Sequence, residues 1–339
     1  MSLAEAPAAA RRVLLPADIA RHPPPLSARV HEFSGRTMGT TWNVRLVAGL
    51  RLHREPVLRV IQRALDDVVA QMSTWEPDSD LCRFNRAAHG SWHPLADGFR
   101  QVLACALDVA ARSGGAFDPT AGELVDAWGF GPRARAGTPD AQALAGARAR
   151  AGWQRLELDA DGGRVHQPGG VALDLSAIAK GYGVDLVAQR LSGLGIESHL
   201  VEVGGELRGH GVKPDGQPWW VQLEEPAPDA AAATTLLALH GLSVATSGDY
   251  RRWFEHDGTR YSHTIDPRDG RPVRHGLASV TVIHASCMQA DAWSTALNVL
   301  GPDDGLALAR RLGLAARFVV RQGTGFDERT SPAFDRFLQ

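Results

Sequence analysis

Apolar and polar positions follow two different periods along this chain. Over residues 41–47 (TWNVRLV), Trp42, Val44 and Leu46 share one face, the two-residue period of a half-buried strand. Over residues 56–72 the apolar positions are Val57, Ile61, Leu65, Val68, Val69 and Met72, which predicts a helix with one buried stripe. A second helix is predicted over 97–112, carrying Val102, Leu103, Ala106, Leu107 and Ala110, with Gly114 and Gly115 placed to stop it. Residues 131–152 read as a surface loop followed by a short helix. β-branched or alternating runs predict strands at 198–211, 219–224, 236–245, 260–265 and 277–284, with 225–235 an exposed hairpin connection. Helices over 289–300 and 303–313 and a strand at 316–320 complete the pattern. Strands gather in the second half instead of alternating with helices, so the predicted class is α+β, not a doubly wound sheet.

Composition narrows the function more than the fold. The 339 residues carry a net charge of −2, with 44% hydrophobic and 22% charged, which excludes a disordered or fibrous chain. Near-neutrality leaves no basic footprint for nucleic acid, and no apolar run approaches the ~18 residues of a transmembrane segment. Cys82, Cys105 and Cys287 are odd in number and widely spaced, giving neither a disulfide framework nor a CxxC metal site. Lys180 and Lys213 are the only lysines, so a lysine inside a motif stands out. The prolines at 23–25 set off residues 1–30 as a flexible N-terminal arm from a folded body over 31–339. No leader is recognisable, which reads as cytoplasmic as given and as periplasmic if a leader was removed before Met1.

Five segments carry candidate chemistry. Residues 113–122 (SGGAFDPTAG) make a glycine-containing turn whose backbone can approach a ligand, or an ordinary helix-to-strand loop. In 173–185 (LDLSAIAKGYGVD) a short strand leads to Ser176, placed to cap a helix whose open N–H groups favour phosphate, with Lys180 one turn in; plain capping is the alternative. The glycine pair in 201–208 (VEVGGELR) reads as a bulge or as close approach of the backbone to something bulky. The turn at 245–250 precedes a strand that delivers His263 and Asp266, three apart and on opposite faces of a regular strand, so a His–Asp dyad does not follow. In 289–297, Asp291 and Thr295 are at i, i+4, which stacks a carboxylate and a hydroxyl on one helix face, hard oxygens of the kind Mg²⁺ prefers. As a set these residues point to Mg²⁺-dependent handling of a phosphate-bearing cofactor.

The same segments, in order, resemble the ApbE family of FAD:protein FMN transferases. The resemblance runs through Met38-Gly-Thr-Thr-Trp42, Met72-Ser-Thr-Trp-Glu-Pro-Asp-Ser-Asp80, Arg83-Phe-Asn85, Gly115-Ala-Phe-Asp-Pro-Thr120, residues 174–185, Val203-Gly-Gly205, residues 245–250, His263-Thr-Ile-Asp-Pro267 and residues 290–295. It implies an α+β fold with two interleaved α/β parts around one FAD-binding cleft, and so a single domain over 31–339. It implies transfer of FMN from FAD to a threonine hydroxyl of a target flavoprotein, with release of AMP. Carried over residue by residue, Mg²⁺ would be held by Asp291, Thr295 and the carbonyl of Ala177. FAD would be met by Met38, Trp75, Ala116, Phe117, Asp118, Asp174 and Lys180, with Ser247 nearby. His263 matches the candidate base, and Trp75 and Phe117 would offer flat apolar surface to a ring of the cofactor. Trp75 stands where the family often has tyrosine. Two other readings use the same residues: an FAD pyrophosphatase giving FMN and AMP, and an FAD-binding protein that forms no bond.

Overall fold

The computed structural model describes residues 11–19, 27–133, 137–159, 161–226, 234–249 and 252–338. Its centre is one sheet of eight strands: β1 (Ala28–Thr37), β2 (Thr40–Gly49), β3 (His199–Val203), β4 (Glu206–His210), β5 (Leu242–Gly248), β6 (Leu277–His284), β7 (Ala315–Gln322) and β8 (Gly325–Thr330). The strands lie side by side in chain order and every neighbouring pair is antiparallel. Such a sheet can be closed with two-residue turns alone, and β1–β2, β3–β4 and β7–β8 are joined that way. Met38 and Gly39 in the first turn, and Gly204 and Gly205 in the second, all have positive φ, the backbone hand that matches strand twist.

The other connections are insertions, and those after β2 and β6 carry the helices. Between β2 and β3 come α1 (Arg54–Met72), α2 (Asp97–Arg112) and α3 (Ala179–Gly193), and between β6 and β7 comes α4 (Cys287–Leu312). Between β5 and β6 stand two small hairpins, Trp253–His256 with Thr259–Ser262 and Ile265–Asp266 with Arg271–Pro272. The helices cover one face of the sheet: Trp42, Val44, Leu46, Val201 and Val203 pack with Val57, Ile61 and Leu65 of α1 and Val184, Val187 and Leu191 of α3. The alternate residues Val47, Leu200, Val244 and Ile283 point to the other face. There they meet Leu14, Trp219, Leu237 and Phe334, partly from a three-stranded sheet of Arg11–Leu14, Thr234–Leu239 and Trp219–Gln222. Each such fully buried aliphatic side chain contributes about 1.5–3 kcal/mol.

The α+β class holds, and the main departures from the sequence reading occur at turns. The run 198–211 is two strands, because Gly204 and Gly205 form the hairpin turn rather than a bulge. The run 236–245 is likewise split, by His240 and Gly241 (φ 68°), between the small sheet and β5. The run 260–265 is divided between the two small hairpins. Residues 227–233 of the expected hairpin connection lie outside the described residues; the strands on either side of it pair antiparallel. The helices expected over 289–300 and 303–313 run together as α4, interrupted at Gly301 (φ 79°, ψ −176°) before Pro302. Within the region expected as a flexible arm, Arg11–Leu14 pairs parallel with Thr234–Leu239, and Leu14 is fully buried. The apolar run there is long enough for one strand edge.

Candidate active site

The centre of the candidate site is where α3, β4 and α4 converge. A Cβ on Gly181 of α3 would lie 2.4 Å from the Cys287 carbonyl oxygen and 2.8 Å from Asp291 Cβ. Only glycine permits this approach, and it lets the Gly181 N–H donate to Asp291 Oδ2 at 3.0 Å. Asp291 is 3% exposed. Its other oxygen, Oδ1, faces Lys180 Nζ at 3.7 Å, and the same ammonium is 2.8 Å from Oε1 of Glu206, the first residue of β4. One helical turn beyond Asp291, Thr295 Oγ1 is 3.1 Å from Ser247 Oγ of β5, which also bonds Ser294 Oγ at 2.8 Å. The structure therefore brings Lys180, Asp291, Thr295 and Ser247 together.

A second charged pair locks this junction from behind. Asp185 of α3 accepts from the backbone N–H groups of Cys287 and Met288 and from Ser286 Oγ, at 3.0, 3.0 and 2.7 Å. It also accepts from Arg208 of β4 at 2.7 Å. A carboxylate at the open N–H groups of a 26-residue helix is favoured by both hydrogen bonding and the helix dipole. The signs alternate: α3 gives a cation to β4 at Lys180–Glu206 and an anion at Asp185–Arg208. A shift of α3 along β4 would set like charges together.

The segment before α3 differs from the sequence expectation. Ser176 is exposed and caps nothing; the chain turns once more, with the Ile178 and Ala179 N–H groups both bonded to the Leu175 carbonyl, and α3 begins at Ala179. Asp174 Oδ1 accepts from Ser176 N at 2.8 Å, and the Asp174 N–H donates to the Pro119 carbonyl at 2.8 Å. That bond docks the 115–120 turn beside residues 172–176, with Ala177 partly buried next in line. Asp118 spends its carboxylate inside the turn, accepting from Thr120 N, Thr120 Oγ1 and Trp153 N at 2.8, 2.6 and 3.1 Å. Burial pushes its carboxyl above the usual range, and those hydrogen bonds hold it back.

The aromatic expectations separate. Phe117 is buried within the main core together with Ala116, so its ring is packed against protein and offers no stacking surface. Trp75 is 59% exposed, on a turn fixed by Ser73 Oγ, which accepts from the Trp75 and Glu76 N–H groups. Met38, at φ 48°, turns its side chain into the core toward Gly183 of α3. Glu206 and Trp153 were not legible as site residues. Glu206 follows the glycine pair, and its partner Lys180 is the only lysine in any of the motifs. Trp153 lies beside Gly115 with its indole N–H unpartnered among the described residues.

His263 follows the first small hairpin and precedes the second. Its Nδ1 lies 3.0 Å from the Arg252 carbonyl, and its ring meets Phe130 edge-on. A carbonyl can only accept, so Nδ1 carries the hydrogen in this contact. Asp266 instead bonds Arg268 through both oxygens, so the imidazole is oriented by a backbone carbonyl and the pair forms no His–Asp dyad.

The oxygens at the junction suit a hard cation. Asp291, Thr295 and Ser247 offer one charged and two neutral oxygens, the chemistry Mg²⁺ accepts when substrate phosphate and water complete its shell. No group of three or more His, Cys, Asp or Glu side chains able to hold a metal is found among the described residues. Two of the three thiols are buried and inert: burial pushes Cys105 up to about 12 and Cys287 well above its ordinary value. A cleft of about 480 Å³ is lined by the Asp185–Arg208 pair itself with His199, His210, Gln101 and Gln189 among others, and by none of Lys180, Glu206, Ser247, Asp291 and Thr295.

The ApbE family model matches residues 38–318. A protein of Vibrio cholerae named FAD:protein FMN transferase is 40% identical over 314 residues, 91% of this chain and 93% of its own length. One of Klebsiella pneumoniae with the same name is 39% identical over 308 residues, 90% and 88% of the two chains. The apo crystal structure of the Pseudomonas stutzeri flavinyl transferase ApbE superposes with a TM-score of 0.85 at 46% identity, covering 91% of this chain and 97% of that one. The chain belongs to the ApbE family.

Proposed function

We propose that this protein transfers the FMN moiety of FAD to a threonine hydroxyl of a target flavoprotein and releases AMP, residues 31–339 acting as one unit. The observation that carries the reading is the buried Asp291 carboxylate beside the Thr295 and Ser247 hydroxyls, in a chain whose relatives are named for that transfer. Asp291, Thr295 and the Ala177 carbonyl are the oxygens that would hold Mg²⁺, whose chemistry there is to draw charge from the pyrophosphate. Lys180 adds a cation for the same anionic group. Asp174 and the 115–120 turn form the adjoining wall, and Trp75 supplies exposed aromatic surface for a ring of FAD. His263 accepts the proton of the incoming hydroxyl as that oxygen bonds to phosphorus and the phosphorus–oxygen bond to AMP breaks.

Mass spectrometry of a candidate flavoprotein after incubation with FAD, Mg²⁺ and this protein tests the reading. The expected result is a mass increase equal to one FMN phosphoester, located on a threonine, with one AMP released per transfer. Rapid release of free FMN and AMP with no target modified would instead identify an FAD pyrophosphatase. Binding of FAD with no AMP released would identify a carrier.

A further inference from the structure

Three hydroxyls beside Asp291 form a chain whose direction is fixed. Ser294, fully buried on α4, sends its hydroxyl hydrogen to the Asp291 backbone carbonyl at 2.9 Å, because a carbonyl can only accept. A hydroxyl has one hydrogen, so Ser294 Oγ must accept at its 2.8 Å contact with Ser247 Oγ of β5. Ser247 has then spent its own hydrogen and must accept from Thr295 Oγ1 at 3.1 Å. Three bonds and three hydrogens allow this one arrangement, and turning any hydroxyl round leaves a contact without a hydrogen. A helical threonine often bonds back to the carbonyl four residues earlier, here that of Asp291, which Ser294 already occupies. The Thr295 hydrogen therefore points at β5. Its oxygen keeps both lone pairs, on the helix face shared with the Asp291 carboxylate.

We propose that Ser294 is a positioning residue that, through Ser247, fixes the polarity of the Thr295 hydroxyl, so that a divalent cation meets its lone pairs and not its hydrogen. The inference rests on the reading that Asp291 and Thr295 are cation ligands. Without Ser294, the Ser247 hydrogen is released and can turn onto Thr295 Oγ1, and the Thr295 hydrogen is then free to point toward the incoming charge. A hydroxyl dipole in that orientation repels a cation. The relay runs in series, since Ser294 orients Thr295 only by way of Ser247. That order makes a prediction that plain packing support does not. Once Ser247 is lost, loss of Ser294 must have no further effect on the cation.

Calorimetric titration of the full chain with Mg²⁺ alone, at fixed pH and ionic strength and without FAD, reads these effects. Ser294→Ala and Ser247→Ala are each expected to weaken Mg²⁺ binding about tenfold. The double variant is expected within about twofold of Ser247→Ala, where independent effects would multiply to about a hundredfold. If Ser294→Ala fails to fold, Ser294→Cys, whose thiol is a weak donor, takes its place with the same expected loss. Unchanged affinity in Ser294→Ala, or losses that multiply in the double variant, overturns the proposal while Asp291 stays a ligand. Mg²⁺ binding that is absent, or unchanged in Asp291→Ala or Thr295→Val, overturns the metal reading itself and this proposal with it.

Discussion

Asp291 is held between two helices and the central sheet, whereas His263 stands between two-stranded hairpins that lie outside that sheet. Around Asp291 the positions are over-determined: Gly181 sets the helix separation, two ion pairs of alternating sign set the register of α3 on β4, and Asp185 fixes the start of α4. Around His263, the Arg252 carbonyl meets both Nδ1 and the backbone N–H, and the Phe130 ring meets the imidazole edge-on. The outer face of the neighbouring hairpin carries Trp253, about half exposed, with Arg260 over its ring. A cation and a pyrophosphate need oxygens held to fractions of an ångström. A hydroxyl arriving on another protein needs a base that can be approached from outside, and such groups sit on surface loops. On the proposed reading, the difference between the two regions follows the difference between what each would meet.

The sharpest way to break this comparison is to delete the rigid side. Asp291→Ala is expected to abolish transfer, a loss of about 10³-fold or more, with FAD binding only partly weakened; AMP release and equilibrium FAD titration measure the two separately. His263→Ala should slow transfer by about 10²–10⁴ and remove the rise of rate with pH that a base produces. An unchanged rate and profile would remove His263 from the mechanism.

Stability should separate the regions as clearly as activity does. Asp185→Ala strips the N-terminus of α4 of its acceptor and leaves Arg208 without its carboxylate, at a cost of roughly 3 kcal/mol in urea unfolding. His199, buried on β3 beside His210, is pushed down to about 4, chiefly by burial. Its neutral form is the folded one, so its contribution is full above the unfolded value near 6.5 and is lost as pH falls toward about 4. His199→Gln should therefore flatten the acid slope of unfolding midpoints between pH 6.5 and 4 by roughly 2 kcal/mol. Trp253→Ala, on the exposed hairpin, should change unfolding by less than about 0.5 kcal/mol. A large loss there would mean that the hairpin is part of the core support.

The chemical residue types were legible because each is tied to a local signal. Asp291 and Thr295 share a face by helical spacing alone, and the period-two run at 41–47 and the stripe at 57–72 name their own buried residues. What failed was read from spacing without partners. Ser176 could not be seen to lose its cap, because the extra turn at 175–178 depends on the docking of Asp174 on Pro119. Phe117 could not be told from a stacking ring, because an aromatic in a glycine-containing turn looks the same whether it faces a core or a cleft.

By itself the sequence determined the class of fold, the positions of the main helices and strands, and the cast of the candidate site, since periodicity and residue chemistry are properties of short segments. It also set the near-neutral charge that leaves an anionic cofactor to be held by local groups. The tertiary structure alone decided how that cast is assembled. The eight strands follow one another in order, so the site segments, scattered from Met38 to Thr295, are carried in on insertions and meet only when the sheet closes. The Lys180–Glu206–Asp291 cluster exists only then. Its residues lie 26 and 85 positions apart in the chain, and no local pattern reports which side chains packing will bring together.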